Sequence, residues 1–227
     1  MYLFPHSTCE THNTHKNNPI QPWSFYINLI NAILLFIFVL VSSNYKNKFV
    51  TLALFSFLLF ELWHSFSHYK HLENDSQTHI SIVHILGYFM TFSLYLAISQ
   101  LSSNYNIPTE WMIILIFSII LDTYIFFFIH GYWTIFGGLF VISIMMGANF
   151  HKIPRVLYIY LLYLALGVII LFLLFVNEAH NCEKMKDKIG DLPFHAFVEV
   201  LGLLLFVGLS TFLMKWNMLI YKKHSFP

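Results

Sequence analysis

Long apolar segments, separated by shorter polar ones, recur along the whole chain and indicate its fold class. Seven of these segments are long enough to cross a hydrocarbon core of about 30 Å as α-helices. The alternating pattern that marks the strands of a membrane β-barrel does not occur, so a bundle of helices is expected. The sequence therefore predicts an all-α, polytopic membrane protein with seven spans. The predicted spans are 23–43, 49–69, 78–100, 110–129, 132–149, 154–176 and 194–218.

Polar residues flank the predicted spans. Residues 1–22 form a polar N-terminal segment, residues 23–218 form the transmembrane domain, and residues 219–227 form a short C-terminal tail. The N-terminal segment lacks the apolar stretch of a removable secretory signal, so the first span is expected to direct insertion. The connections between spans are short except for the one at 177–193, which is rich in charged residues.

The composition agrees with a membrane environment. Hydrophobic residues make up 58% of the chain and charged residues 10%, compared with about 25% charged residues in a typical soluble domain. The formal net charge is +1, and no block of basic residues suggests a nucleic-acid partner. The expected partners are therefore the lipid bilayer and, if the chain is an enzyme, a membrane lipid as substrate.

The distribution of Lys and Arg indicates an orientation. With the N-terminus outside, or in a lumen, seven of these residues lie on the cytoplasmic side and five on the other, which favours a cytoplasmic C-terminus. The cytoplasmic set would be Lys46, Lys48, Lys152, Arg155, Lys215, Lys222 and Lys223. The opposite set would be Lys16, Lys70, Lys184, Lys186 and Lys188.

The chain has 2 cysteines, Cys9 in the N-terminal segment and Cys182 in the connection before the last span. Seven spans place both of these segments on the same side of the membrane. A disulfide bond between the two cysteines is then topologically possible, and it would require that this side is oxidising. The alternative is two unrelated free thiols.

Histidines collect on one side of the predicted membrane. Of the 13 histidines, eleven lie on the N-terminal side, and only His151 and His224 lie on the other. The set of eleven is His6, His12, His15, His64, His68, His71, His79, His84, His130, His180 and His195. Several of them sit at the ends of spans at similar depths, so they can converge between helices.

A zinc site is the chemistry that this pattern favours. His195 and Glu199 are four residues apart and share one face of the last span, and His68 at the end of the second span would complete a His₂Glu set. A catalytic zinc ion uses three protein ligands and a water molecule whose pKa it lowers to about 7. The alternative is a hydrogen-bonded or proton-linked polar core without metal.

Three further residues are candidates for catalytic roles beside this set. His64 lies one turn before His68 and would bind the metal or hold the water. His79 at the start of the third span, or Asp122 in the fourth, would hold a metal ligand in place by a hydrogen bond or accept a proton. Carboxylates such as Asp122 and Glu61 inside a span need a partner, which makes them functional candidates.

Short motifs along the chain form a set that resembles a known family. The motifs are Cys9-Glu10, Gln21-Pro22-Trp23 followed by Asn28, the end of the second span with its His68, and Phe194-His195-Ala196-Phe197-Val198-Glu199. They resemble motifs of the alkaline ceramidase family, within the wider superfamily of seven-span membrane hydrolases that includes the adiponectin receptors. The order of the motifs resembles that of the family over nearly the whole chain, and this resemblance implies a seven-helix fold.

The chain departs from the family pattern at three positions of the site. His64 stands in the place of the family's Ser, His79 in the place of its Asp, and Glu199 in the place of its last His. All three replacements are polar or able to bind metal, which favours an altered but retained site. Cys182 precedes His195 by about the interval at which the family places the second cysteine of a disulfide.

The resemblance implies an activity. Zinc would activate a water molecule that attacks the amide carbonyl of a lipid such as ceramide, and the lipid would enter the bundle sideways from the bilayer. His64 would donate a hydrogen bond to the developing oxyanion. The family's calcium site in the N-terminal segment would keep few oxygen donors here, namely Glu10, with Gln21 and Asn28.

Two other functions compete with this hypothesis. His64-x-x-x-His68-x-x-His71 begins like the histidine boxes of di-iron lipid desaturases and hydroxylases, although the chain has no adjacent pair of histidines. A non-enzymatic seven-helix receptor, sensor or conductor of protons or metal ions would use the same cluster to titrate or to pass ions.

Overall fold

The computed structural model describes six stretches of the chain, with scattered positions between residues 110 and 147. The six stretches are 9–10, 18–45, 47–70, 77–103, 149–189 and 193–224. Within them the chain is helical and contains no strand, so the prediction of an all-α protein is confirmed. The fourth and fifth predicted spans lie largely outside the described residues.

Five α-helices organise the described part of the chain. They are α1 (Pro22–Ser42), α2 (Lys48–Lys70), α3 (Gln77–Ser103), α4 (Tyr158–Ile189) and α5 (Phe194–His224), with two 3₁₀ turns at Phe150–Lys152 and Arg155–Leu157 before α4. Each of the five helices contains a stretch long and apolar enough to cross a membrane. The described helices are therefore compatible with a multi-pass membrane protein.

The apolar core lies between α1, α2, α3 and α5. In this bundle α1 packs along α2, α2 packs along α3, and α5 packs along both α1 and α4. Leu35, Leu54, Tyr95 and Trp216 are completely buried in the core. Since lipid tails are as apolar as these side chains, close packing rather than exclusion of water holds such helices together in a bilayer.

The outer faces of α1 and α4 are apolar as well. In α4 only 6% of the most apolar 18-residue stretch is buried, although this stretch has the highest mean hydropathy of the five. Water-soluble monomers rarely leave so much contiguous apolar surface exposed, whereas hydrocarbon accepts it. Exposed apolar side chains on these faces include Ile33, Phe36, Leu40, Leu166, Ile169 and Leu173.

The connection predicted at 177–193 is helical over most of its length, as far as residue 189. Helix α4 continues through the charged segment to Ile189. That segment contains two Glu and three Lys, which favour helix, and the first helix-ending residues after it are Gly190 and Pro193. Polarity marks where the chain leaves the apolar layer, but it does not end the helix. Helix α5 likewise continues to His224, beyond the predicted end of the seventh span at 218.

Glu10 caps the first helix from a distance. Helix α1 begins with Pro22, and its N-cap residue Gln21 makes no side-chain capping bond. The buried Glu10 carboxylate instead accepts hydrogen bonds from the backbone N–H groups of Trp23 (2.8 Å) and Ser24 (3.3 Å) and from the Ser24 hydroxyl. A carboxylate at this position satisfies free N–H groups and interacts favourably with the helix dipole.

Cys9 connects the N-terminal segment to both α4 and α5. Its sulfur forms a disulfide bond with Cys182 of α4, across a sequence separation of 173 residues. Its N–H group donates a hydrogen bond to Glu178 Oε1 at 2.7 Å, and its carbonyl accepts one from the His195 N–H group at 3.4 Å. A single residue thus fixes the end of α4 against the start of α5.

Replacing Cys182 with Ser should lower the melting temperature of the detergent-solubilised protein by several degrees, because a disulfide typically contributes about 2–4 kcal/mol to stability. Thermal unfolding with and without reductant measures this effect. Reductant should lower the melting temperature of the wild type and leave that of Cys182→Ser unchanged. A wild type whose unfolding and gel mobility ignore reductant would show that the bond is not formed.

Candidate metal centre

Two histidines of α2 point to the same side of the helix. His64 and His68 are four residues apart, so they lie on one face and their ring centroids are 4.8 Å apart. Glu61, one turn before His64 on this face, is 2% exposed, and its Oε2 atom has no hydrogen-bond partner among the described residues. This face of α2 therefore carries three ionisable side chains within two turns.

Helix α5 faces them with His195 and Glu199, which are also four residues apart. The three imidazole Nε2 atoms converge on Glu199 Oε1, at 3.5 Å for His64, 3.3 Å for His68 and 2.8 Å for His195. The predicted contact between the second and the last spans is thus present as a contact between α2 and α5.

The spacing of these atoms suits a metal ion. Zinc binds nitrogen and oxygen at about 2.0–2.2 Å, so neighbouring ligand atoms at the corners of a tetrahedron are about 3.3–3.5 Å apart. The distances from Glu199 Oε1 to the two α2 imidazoles have these values. Three ligand atoms lie within 4.8 Å of one another, one each from His64, His68 and Glu199. These three residues could therefore hold a metal ion.

The burial of these atoms also fits a set of metal ligands. His68, His195 and Glu199 are all buried, and the Nε2 atoms of the two histidines lie 3.3 and 2.8 Å from Glu199 Oε1. Burying ionisable groups is costly unless they are paired or bind a metal ion. A cation between these atoms would satisfy all three.

His64 differs from the other three residues in its exposure. Its side chain is 31% exposed, whereas the side chains of His68, His195 and Glu199 are 5–6% exposed. In His64 the buried atom without a hydrogen bond is Nδ1, not the Nε2 atom that faces Glu199. His68, His195 and Glu199 therefore form the buried part of the site, and His64 forms its open edge.

The N-terminal segment supports His68. The His68 Nδ1–H group donates a hydrogen bond of 2.6 Å to Gln21 Oε1, because a carbonyl oxygen can only accept. The Gln21 N–H group in turn donates to the His68 carbonyl at 3.2 Å. The proton of His68 is thus on Nδ1, and its Nε2 atom presents a lone pair towards Glu199.

Glu178 is part of the site, and the sequence did not reveal it. Glu178 is 1% exposed, and each of its two carboxylate oxygens lies 2.9 Å from His195 Nδ1. We expected a connection between spans from residue 177 onwards, and a charged residue in such a connection does not point to a buried site. The available signal was its position one helical turn before Cys182, because a continuous helix would place both on the same face.

The other predicted catalytic residues lie at the edge of this cluster or outside the described residues. His79 at the start of α3 is buried and stacks against Trp63, whose indole N–H group donates to His79 Nδ1 at 3.3 Å. Trp63 immediately precedes His64, so the Trp63 indole connects His79 to the edge of the cluster. Asp122 lies outside the described residues, and its predicted role stays a prediction.

Comparisons of the chain with protein-family models, with curated proteins and with solved structures found no match. The resemblance to alkaline ceramidases therefore stays a prediction, and the geometry of the site carries the functional argument.

Replacing His68 with Ala should abolish tight zinc binding, because it removes a buried ligand from the centre of the cluster. Metal analysis of the purified protein should give about one zinc ion per chain for the wild type and much less for the variant. His151→Ala is the matched control, since His151 is exposed and precedes α4 at the end opposite Glu178. Equal zinc contents in all three proteins would contradict this ligand assignment.

Proposed function

We propose that the protein is an integral-membrane, zinc-dependent hydrolase that cleaves the amide bond of a lipid, in the manner of a ceramidase. The observation that carries this proposal is the convergence of two buried imidazole Nε2 atoms, on His68 and His195, on the buried Glu199 carboxylate, at 3.3 and 2.8 Å. The set comes from two helices that are each apolar enough to cross a membrane.

His68, His195 and Glu199 would hold the metal. When bound, a zinc ion supplies a water molecule of lowered pKa and polarises a carbonyl group. Three protein ligands leave a fourth position for chemistry, as in other catalytic zinc sites. The buried ligands sit on the closed side of the site, so this position would face His64.

His64 would act on the substrate side. Its partly exposed ring lies 4.8 Å from the His68 ring, centroid to centroid, and its Nε2 atom points at the cluster. An imidazole N–H group there can donate a hydrogen bond to the oxygen of an amide carbonyl as negative charge develops on it. Its Nδ1 atom is buried and has no hydrogen-bond partner among the described residues.

A lipid amide is the substrate class that fits the location of the site. The cluster lies between α2 and α5, whose exposed side chains near it include Leu62, Phe66 and Phe197, so an acyl chain would reach it through hydrocarbon. The Cys9–Cys182 disulfide supports placing the N-terminal side in a lumen or outside the cell, because such bonds persist in oxidising compartments. The C-terminus would then be cytoplasmic.

Removing zinc should abolish hydrolysis. Purified protein in mixed micelles with a fluorescent ceramide should release fatty acid, lose this activity after chelation and regain it when zinc is added. The His195→Ala/Glu199→Ala double variant should show neither zinc nor activity, and His151→Ala should behave as wild type. Hydrolysis that survives complete removal of the metal would exclude a metal-dependent enzyme.

Replacing His64 with Ala should lower kcat by about 10²-fold and leave the zinc content unchanged, because removal of one oxyanion donor has an effect of this size. Parallel metal analysis and steady-state kinetics measure the two quantities. Loss of zinc from His64→Ala would contradict the donor role and would place His64 among the ligands.

A proton-binding core without metal is a second candidate, favoured by the position of His195 between two carboxylates. Its Nδ1 atom is 2.9 Å from Glu178 and its Nε2 atom is 2.8 Å from Glu199, which are distances suited to an imidazolium ion. This function predicts a purified wild type that lacks zinc, does not take it up and hydrolyses no lipid amide. Metal analysis therefore separates the two candidates.

A further inference from the structure

We infer that Glu178 is a positioning residue of the metal centre, which acts by fixing the orientation and tautomer of His195. This inference rests on the proposed metal-dependent function. Glu178 comes from α4, which supplies none of the ligands proposed above, and it would add a third helix to the site.

The contact between the two side chains is close and symmetric. Both oxygens of Glu178 lie 2.9 Å from His195 Nδ1, and its side chain is completely buried. A carboxylate accepts hydrogen bonds, so the proton of His195 resides on Nδ1. With Nδ1 engaged by Glu178, Nε2 is the atom left to bind a metal ion, and it faces Glu199 Oε1 at 2.8 Å. Carboxylate partners of this kind also raise the basicity of ligating histidines.

Glu178 itself is held from two sides. Its Oε1 atom accepts the Cys9 N–H group at 2.7 Å, and Cys182, one turn further along α4, is bonded to the same Cys9. Cys9 also accepts a hydrogen bond from the His195 backbone at 3.4 Å. The carboxylate therefore has a fixed position relative to the first turn of α5, and the imidazole between them has little freedom to rotate.

His68 is held in the same way by a different group. Its Nδ1–H group donates to the Gln21 amide oxygen, whereas that of His195 donates to the charged Glu178. The two proposed histidine ligands thus have matching tautomers and unequal partners. The charged partner makes His195 the more basic ligand, so loss of the Glu178 charge should weaken metal binding.

Zinc affinity of the full-length protein, measured in detergent by competition with a chromophoric chelator, tests this role. Glu178→Gln keeps the shape and one acceptor oxygen but removes the charge, and it should weaken zinc binding about 10–100-fold. Asp187→Asn is the matched control, because Asp187 is an exposed carboxylate on the same helix and its loss should change nothing. Glu178→Asp, which retains the charge, should lie closer to the wild type than Glu178→Gln.

A double-variant cycle distinguishes positioning from a purely structural contribution. If Glu178 acts through His195, Glu178→Gln should weaken zinc binding in the wild type and have little further effect in a His195→Cys background, where a thiolate can still bind zinc but offers no Nδ1–H group to Glu178. A loss of equal size in both backgrounds would overturn the inference, and so would unchanged affinity in the single variant. Where Glu178→Gln does not fold, the absorption spectrum of bound Co²⁺ in Glu178→Asp provides a second measurement, because the shorter side chain draws the carboxylate away from His195 Nδ1 and should shift this spectrum. An unshifted spectrum together with unchanged zinc affinity would also overturn the inference.

Failure of the inference and failure of the proposed function give different results. Zinc in the wild type with no effect of Glu178→Gln overturns the positioning role and leaves the hydrolase proposal intact. Zinc binding that depends on Glu178, without hydrolysis of any lipid amide, supports the positioning role and overturns the hydrolase. A wild type that binds no zinc overturns both.

Discussion

The Glu199 carboxylate, buried among imidazoles inside a bundle of apolar helices, is the interaction on which the other features of the site depend. A charged group at this depth is costly unless it is paired. Its partners come from α2 and from its own helix α5, so the two helices must meet with His64 and His68 opposite the first turns of α5. This requirement fixes the register of α2 against α5 at one end, and the apolar core continues from there along the bundle.

The N-terminal segment completes this end of the bundle. Glu10 caps α1, Gln21 orients His68, and Cys9 contacts both Glu178 and the backbone of His195. Each contact satisfies a polar group that would otherwise be buried without a partner. The polar N-terminal segment therefore has a structural role, because its polar atoms hydrogen-bond the polar groups at the ends of the helices.

The sequence allowed the helical class and the contact between α2 and α5 to be predicted, because apolar segments of about 20 residues and pairs of residues four apart have direct structural meaning. It did not allow Glu178 to be found. Hydropathy alone ended the predicted sixth span at residue 176, whereas α4 continues to Ile189 because the residues that follow favour helix. Glu178 therefore lies one turn before Cys182 on the same face of α4. The orientation of His195 depends on a contact across 17 residues, and no spacing rule in the sequence indicates it.

The Cys9 contacts have a consequence for the order in which the protein can be made. Cys9 leaves the ribosome early, but its partners Glu178, Cys182 and His195 are synthesised more than 160 residues later. Contacts this distant in sequence form slowly, since a long loop must close first. Helices α1 to α3 can therefore insert and pair while the N-terminal segment still waits for α4 and α5. The candidate metal centre can therefore form only after the start of α5 has been made, and a chain that stalls before residue 199 lacks Glu199.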